Sequence, residues 1–198
     1  LLSIDKRGEL LRLVAKELRK QQNGLALLMT AEMGKLFAES LAEIEKCAWV
    51  CEYYADHAGE FLADEIIESD ASHSMVTRQP LGTVLAIMPW NFPFWQVFRC
   101  AAPALISGNT LLLKHASNVP GCAQAIEQIF TTASLPEGVF QNLLIPSSRV
   151  ADVIRDKRVH AVSLTGSEAA GRSVASVAGE SLKKTVLELG GSDAFVVL

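Results

Sequence analysis

Cysteine is scarce in this chain of 198 residues and is not spaced for a disulfide framework. Cys47 and Cys51 lie four apart on a predicted helix, and Cys100 and Cys122 lie within apolar helical patterns. CxxC pairs and Cys/His clusters with zinc spacing are absent, and a site built from Cys47, Cys51 and His57 is the alternative that we set aside. We therefore expect four reduced, buried cysteines, no metal site and a cytoplasmic protein.

A patch of one charge sign is also lacking. The 18 basic and 22 acidic residues are scattered and sum to −4, which argues against a nucleic-acid partner. No basic segment followed by an apolar run opens the chain. The longest uncharged stretch, 79–98, contains Pro89, Asn91 and Pro93, which a membrane-spanning helix would not tolerate without help. These features predict a soluble protein without a membrane partner.

The first third of the chain has the periodicity of packed helices. Apolar residues recur at helical spacing in 10–18, a second helix is predicted at 25–33, and a third at 38–62. Residues 1–63 are thus a helical part, and 64–79 form a polar segment with a predicted strand at 74–78. We interpret 64–79 as an arm that leaves the domain and pairs with a neighbouring molecule.

The rest of the chain, 80–198, alternates strands with helices. The predicted strands are 83–88, 110–114, 139–145, 161–164 and 185–189, with a last strand at 194–198. The helices between them are predicted at 94–106, 119–133, 147–156 and 167–179. Such alternation, with 49% apolar residues, predicts an α/β fold with a doubly wound parallel sheet. Ligands of such sheets bind where strands end and helices begin.

Unusual residues occupy those turns. Asn91 offers a side-chain amide after one strand, and Lys114 follows the next. Gly166 and Ser167 open a helix that contains Gly171, an arrangement that favours a phosphate although it is not a full GxGxxG motif. Glu188 ends a later strand and, in apolar surroundings, is a candidate general base. Each signal alone is also explained by turn formers or a surface lysine, but together they indicate a dinucleotide pocket beside a reactive carbonyl.

Four motifs in order, "MPWNFP", "LLLKHAS", "LTGSEAAG" and "LELGGS", resemble the NAD(P)-dependent aldehyde dehydrogenase superfamily, and within it the succinate-semialdehyde dehydrogenases. "EMGK" and "RQPLG" match as well, so the resemblance runs along the whole chain. It implies a Rossmann-like cofactor domain that binds NAD or NADP.

The resemblance also implies roles for individual residues. Asn91 helps to hold the oxyanion when a cysteine thiolate attacks the aldehyde, and Glu188 activates the water that hydrolyses the thioester. Lys114 bonds the adenosine ribose, and Ser117 stands where strictly NAD-dependent members tend to carry glutamate, so both cofactors are expected to bind. Arg99 is expected to meet a substrate carboxylate, the alternative being an arginine at the helix surface. The implied cofactor-binding residues are Met88, Pro89, Trp90, Lys114, His115, Ala116, Ser117, Gly166, Ser167, Gly171 and Leu189.

The family nucleophile is a cysteine that follows the general base, and no cysteine follows Glu188 here. We therefore expect an internal piece of a longer protein, with the nucleophile and the catalytic domain beyond Leu198; Cys100 is a weak substitute. The expected activity is oxidation of an aldehyde, with succinate semialdehyde favoured by Arg99, in a dimer or tetramer joined through 64–79. The alternatives are a neutral aldehyde as substrate, or a non-catalytic dinucleotide-binding or oligomer-forming module.

Overall fold

The computed structural model describes residues 2–197 and begins with three helices. These are α1 (Ile4–Lys20), α2 (Gln22–Met33) and α3 (Phe37–Phe61). Ser3 caps α1, its Oγ accepting a hydrogen bond from the Lys6 N–H, and α2 ends at Gly34, whose φ of +76° suits glycine. The three predicted helices are confirmed, although α2 begins three residues earlier than its apolar pattern indicates.

The polar segment that follows forms a small ribbon. Strands β1 (Glu65–Ile66) and β2 (Met75–Val76) pair antiparallel, and all four residues are exposed. The predicted strand at 74–78 is present in shortened form. The Arg78 guanidinium donates to the Ala63 carbonyl at 2.6 Å and closes the base of the ribbon.

A five-stranded parallel sheet forms the centre of the fold. Its strands are β3 (Thr83–Met88), β4 (Thr110–His115), β5 (Phe140–Asn142), β6 (Val159–Gly166) and β7 (Lys184–Leu189), in the order β5-β4-β3-β6-β7. The connecting helices are α4 (Trp95–Ile106), α5 (Pro120–Thr132), α6 (Val150–Arg155), preceded by a 3-10 turn at Ser147–Arg149, and α7 (Glu168–Glu180). The predicted doubly wound α/β fold is confirmed.

The two faces of the sheet bury different helices. Ala86 and Met88 of β3 face a core shared with α1 to α5, whereas Leu85 and Ile87 face a smaller core formed with α6 and α7. This alternation follows from the two-residue period of a strand. Both faces are therefore apolar, as the sequence indicates.

The strand order reverses between β3 and β6. The chain passes from β3 outward to β4 and β5, and then crosses to the other side of β3 to form β6 and β7. Ligands of open α/β sheets bind outside the carboxyl ends of the strands at such a point. The turns after β3 and β6 thus flank the expected binding crevice.

The predicted strand at 194–198 is wrong for residues 194–197, which form no helix or strand; Leu198 lies outside the described residues. A strand needs a partner for its backbone groups, and a parallel partner is reached only through a connection of about a dozen residues or more. The segment after Leu189 is too short for such a connection, and Phe195 is 93% exposed.

Within 2–197, the helices are too short or too polar to cross a membrane.

Candidate cofactor pocket and active site

The turn between β3 and α4 carries the exposed asparagine predicted from the sequence. Asn91 and Trp90 are exposed, the latter by 49%, and Pro89 is half-buried. The side chain of Met88 packs in the core with the N-terminal helices, so only its backbone is available to a ligand. Asn91 is therefore accessible in the turn beside the expected crevice.

The residues after Asn91 are bound by side chains of the N-terminal helical part, whose role the sequence analysis did not predict. Glu43 of α3 accepts hydrogen bonds from the Phe94 and Trp95 N–H groups, both at 2.9 Å. Glu43 also pairs with Lys35, and both side chains are buried. The sequence does show a glutamate among the buried residues of α3, next to Ile44 and one turn before Cys47. An apolar pattern alone does not tell which groups such a glutamate binds.

Arg99 and Glu188, which the sequence singled out separately, lie close together. The Arg99 guanidinium donates to Thr165 Oγ1 at 2.6 Å and to Gln96 Oε1 at 2.8 Å, and one of its nitrogens lies 3.7 Å from Glu188 Oε1. Its side chain is 27% exposed, so it does not lie free on the helix surface. The apolar surroundings expected for Glu188 are a wrong prediction, because its side chain is 55% exposed and faces this guanidinium.

Lys114 points into a pocket of about 230 Å³ between the sheet and helices α6 and α7. Its ammonium lies 3.5 Å from the Ser147 hydroxyl, and burial lowers the pKa of the lysine. Apolar side chains complete the wall, among them Ile87, Leu164, Ala170, Val174 and Val177. An apolar pocket with one cation in its wall suits a nucleoside group and its hydroxyls.

Ser117 and Ala116 line a different pocket, of about 240 Å³, beyond the ends of β4 and β5. His115 is buried, and both of its ring nitrogens are occupied. Nε2 donates to the Pro93 carbonyl at 2.8 Å, and Nδ1 accepts from the Ala116 N–H at 2.8 Å. Desolvation lowers the pKa of His115. The ring thus links β4 to the turn that carries Asn91 and has no N–H group left to donate to a phosphate.

The start of α7 has the features of a phosphate-binding helix end. Ser167 is exposed and caps the helix, with its Oγ accepting from the Ala170 N–H at 3.3 Å. Gly171 lies on the first turns, where a Cβ would come within 2.6 Å of a Leu189 methyl group. Glycine at 171 therefore lets Leu189, at the end of β7, approach the helix. Gly166 faces no comparable crowding.

The four cysteines are buried or half-buried, and desolvation raises the pKa of each thiol. For Cys100, the contact with Ser163 and the charge of Arg99 oppose this rise without reversing it. A thiolate nucleophile needs the opposite environment. The described cysteines are therefore structural.

A model of the aldehyde dehydrogenase family matches residues 1–198 of this sequence. The chain belongs to the aldehyde dehydrogenase family. It is 57% identical over 197 residues to a protein of Synechocystis sp. named "Probable succinate-semialdehyde dehydrogenase", specified for NADP(+), covering 100% of this chain and 43% of that relative. The NAD(P)+ succinate semialdehyde dehydrogenase of Escherichia coli is 47% identical, covering 99% of this chain and 42% of that relative.

Solved structures agree with this assignment. The crystal structure of succinic semialdehyde dehydrogenase from Streptococcus pyogenes, in complex with NADP+, superposes with a TM-score of 0.95 at 46% identity and covers 98% of this chain. The chain spans 43% of that structure and about two fifths of the curated relatives. The resemblance predicted from the turn motifs is thereby confirmed.

The family-like "EMGK" motif also acquires a structural meaning. The Glu32 carboxylate accepts from the Gly121 N–H at 2.7 Å and the Cys122 N–H at 2.8 Å, at the first turn of α5. Lys35 of the same motif pairs with Glu43. The first backbone N–H groups of α4 and of α5 thus each donate to a carboxylate of the N-terminal helices, Glu43 for α4 and Glu32 for α5.

A larger pocket, of about 520 Å³, lies beside the amino ends of β4 and β5, at the end of the sheet opposite the site turns. Its lining is almost entirely apolar. It is far from the turns that carry Asn91, Lys114 and Ser167, and we assign no chemistry to it.

Proposed function

We propose that the protein to which this chain belongs oxidises an aldehyde that carries a carboxylate, succinate semialdehyde, with NADP+ as the preferred acceptor. The observation that carries the proposal is the position of Arg99. Its guanidinium is anchored by Gln96 and Thr165 and lies 3.7 Å from Glu188, at the carboxyl ends of β6 and β7. An arginine fixed beside a candidate general base can orient a substrate through its distant carboxylate.

The proposed reaction converts the aldehyde, NADP+ and water to the carboxylate, NADPH and two protons. The nucleophile in this scheme is a cysteine beyond Leu198, which forms a thioester. The Asn91 amide donates a hydrogen bond to the oxyanion that forms on attack. Glu188 accepts a proton from the water that hydrolyses the thioester. When bound, the nicotinamide cofactor accepts the hydride that leaves the substrate carbon.

The cofactor proposal rests on Lys114 and Ser117 at the end of β4 and on the turn between β6 and α7. We assign the Lys114 pocket to the adenosine half of the cofactor, and the α7 start at Gly166 and Ser167 to its pyrophosphate. A serine at 117 brings no negative charge that would repel a 2′-phosphate. The names of the relatives from Synechocystis and Escherichia coli support NADP as a cofactor of this group.

We also propose that the β1–β2 ribbon joins copies of the complete protein into a dimer or tetramer. Ile66 is 71% exposed and Val76 47% exposed, although a two-stranded ribbon is marginal on its own. Light scattering on the full-length protein and on an Ile66→Lys variant tests this, and an unchanged assembly in the variant contradicts it.

The test of the activity is a comparison of two substrates with the full-length gene product. Reduction of NADP+ is followed with succinate semialdehyde and with butanal, which lacks the carboxylate. Arg99→Met should lower kcat/KM for succinate semialdehyde about 10- to 100-fold more than for butanal, because charge-assisted hydrogen bonds are worth about 1.5–3 kcal/mol. Any indirect effect on Glu188 acts on both substrates and cancels in this ratio.

Arg172→Met is the matched control, because Arg172 is an exposed arginine of α7 that pairs with Glu168. It should leave the ratio of the two substrates unchanged. Equal losses for both substrates in Arg99→Met would reject carboxylate recognition and favour a neutral aldehyde. No reduction of NADP+ or NAD+ with any aldehyde would favour the non-catalytic module.

A further inference from the structure

Consecutive residues that follow Asn91 are held by three buried side chains from other elements. The Lys35 ammonium lies 3.5 Å from the centroid of the Phe92 ring. The next carbonyl, that of Pro93, accepts from His115, and the two following N–H groups donate to Glu43. The turn is thus fixed from Phe92 to Trp95, immediately after the exposed asparagine.

The start of α4 depends on Glu43 because the helix has no side-chain cap of its own. Its N-cap position is Phe94, whose side chain cannot accept a hydrogen bond, whereas α7 is capped by the side chain of its own Ser167. Glu43 supplies the missing acceptor from α3, and its negative charge also suits the positive end of the α4 dipole. A residue distant in sequence therefore decides where α4 begins.

The two oxygens of Glu43 have separate partners. Oε1 accepts both amide hydrogen bonds, and Oε2 contacts the Lys35 ammonium. Glu43 is 4% exposed and Lys35 is 9% exposed, so solvent cannot replace a lost partner. Removing one member of a buried pair leaves the other charge uncompensated.

We propose that the Lys35–Glu43 pair is a positioning device for Asn91, which sets the place of the asparagine amide through the fixed start of α4. The inference rests on the proposed role of Asn91 in aldehyde oxidation. A donor to a developing charge must be held within about 0.5 Å of its productive position. Within residues 2–197, the hydrogen bonds and the cation–π contact of the pair reach Phe92, Phe94 and Trp95, so we assign it a positioning role and not a catalytic one.

The first test measures hydrogen exchange at the turn in the full-length protein, independently of activity. Glu43→Gln keeps the shape of the side chain and removes its charge, and it should speed exchange at the Phe94 and Trp95 amides about tenfold or more. Glu32→Gln should instead speed exchange at Gly121 and Cys122, the amides that Glu32 binds. Unchanged exchange at Phe94 and Trp95 in Glu43→Gln would overturn the inference.

The second test asks whether the pair acts through Asn91. Glu43→Gln should lower kcat about tenfold or more in the wild-type background and less than about twofold in an Asn91→Ala background. A full additional loss in the Asn91→Ala background would overturn the inference, because the pair would then act elsewhere. Glu39→Gln makes the same chemical change at an exposed position one turn earlier on α3 and should alter neither kcat nor exchange.

Lys35→Met provides a second variant should Glu43→Gln fail to fold. It removes the partner of Oε2 and the contact with Phe92 but keeps both amide hydrogen bonds, so exchange and kcat should change in the same direction and less. No change in either would overturn the inference. A wild-type protein without aldehyde-dependent reduction of the cofactor would reject the proposed function and the role of Asn91, and exchange would still decide whether Glu43 holds the turn.

Discussion

The turn after β3 and the end of β7 carry the two residues that we assign to chemistry, and they are built differently. The turn with Asn91 is fixed by buried groups from α3, β4 and the loop between α2 and α3. Glu188 is 55% exposed, and its one charged contact within residues 2–197 is with Arg99 at 3.7 Å. The described residues thus surround the turn of one candidate catalytic residue with buried partners and leave the other candidate largely exposed.

The difference fits the two proposed tasks. A donor that stabilises a developing negative charge works best when it needs no reorganisation during the reaction, which the buried partners of the Asn91 turn provide. A base that accepts a proton from water must reach a water molecule, and an exposed side chain at the edge strand β7 allows this. The three predictions below challenge or sharpen this contrast, in order of decreasing expected effect.

The largest effect is expected at the open end of the site. Glu188→Gln in the full-length protein should lower the steady-state rate about 10²- to 10⁴-fold, the usual contribution of a general base. Because the base acts after hydride transfer in the proposed scheme, a first turnover of NADPH should persist as a rapid burst. Stopped-flow absorbance resolves the burst from the steady state.

Glu180→Gln is the control for this prediction, since Glu180 is an exposed acid of α7 that pairs with Arg155 at 3.2 Å. It should leave both phases unchanged. Loss of the burst in Glu188→Gln would place the carboxylate in the first half of the reaction and would weaken the contrast with Asn91.

The turn after β4 contains both a buried and an exposed polar residue, and we expect a substitution there to have an intermediate effect. Lys114 is buried at its base, whereas Ser117 is exposed at its tip. Ser117→Glu should raise the Kd for NADP+ about tenfold relative to that for NAD+, because a carboxylate repels the 2′-phosphate. Calorimetric titration of the full-length protein with each cofactor measures the ratio.

Asn118→Glu introduces the same charge one residue further along the exposed turn. A ratio that changes equally in this variant would mean that the charge acts at long range and that position 117 has no special role. An unchanged ratio in Ser117→Glu would place the 2′-phosphate elsewhere.

Most of the fold could be predicted because it depends on local patterns. Continuous apolar runs between helical stretches gave the parallel strands, and the topology then brought the strand ends to one edge. The segment 194–197 was mispredicted because an apolar run says nothing about whether a partner strand is available. Strand pairing is a non-local property, and the sequence pattern of Phe195 to Val197 does not contain it.

The sequence proposes candidate site residues but does not predict their contacts. Asn91, Lys114 and Glu188 were proposed from the ends of their predicted strands, and Arg99 from the family resemblance. The approach of Arg99 to Glu188 depends on the reach of the Arg99 side chain from α4 to Thr165 of β6 and Glu188 of β7, which no local pattern reports. Glu43 was missed for the same reason, because its partners are backbone amides of a distant turn.

The smallest expected effect concerns stability at the supported turn. Burial lowers the pKa of His115, so the folded protein binds a proton there less readily than the unfolded chain. The unfolded state then carries more protons between the lowered value and the ordinary histidine pKa of about 6.5, and stability falls as the pH drops through that interval.

His115→Gln keeps a donor for the Pro93 carbonyl without this titration, so the fall in Tm between about pH 7.5 and about pH 5.5 should be smaller in the variant than in the wild type. His73→Gln, at an exposed position of the ribbon segment, should leave the fall unchanged. If His115→Gln loses as much stability on acidification as the wild type does, the supported turn does not contribute to the pH dependence, and the buried histidine serves only through its hydrogen bonds to Pro93 and Ala116.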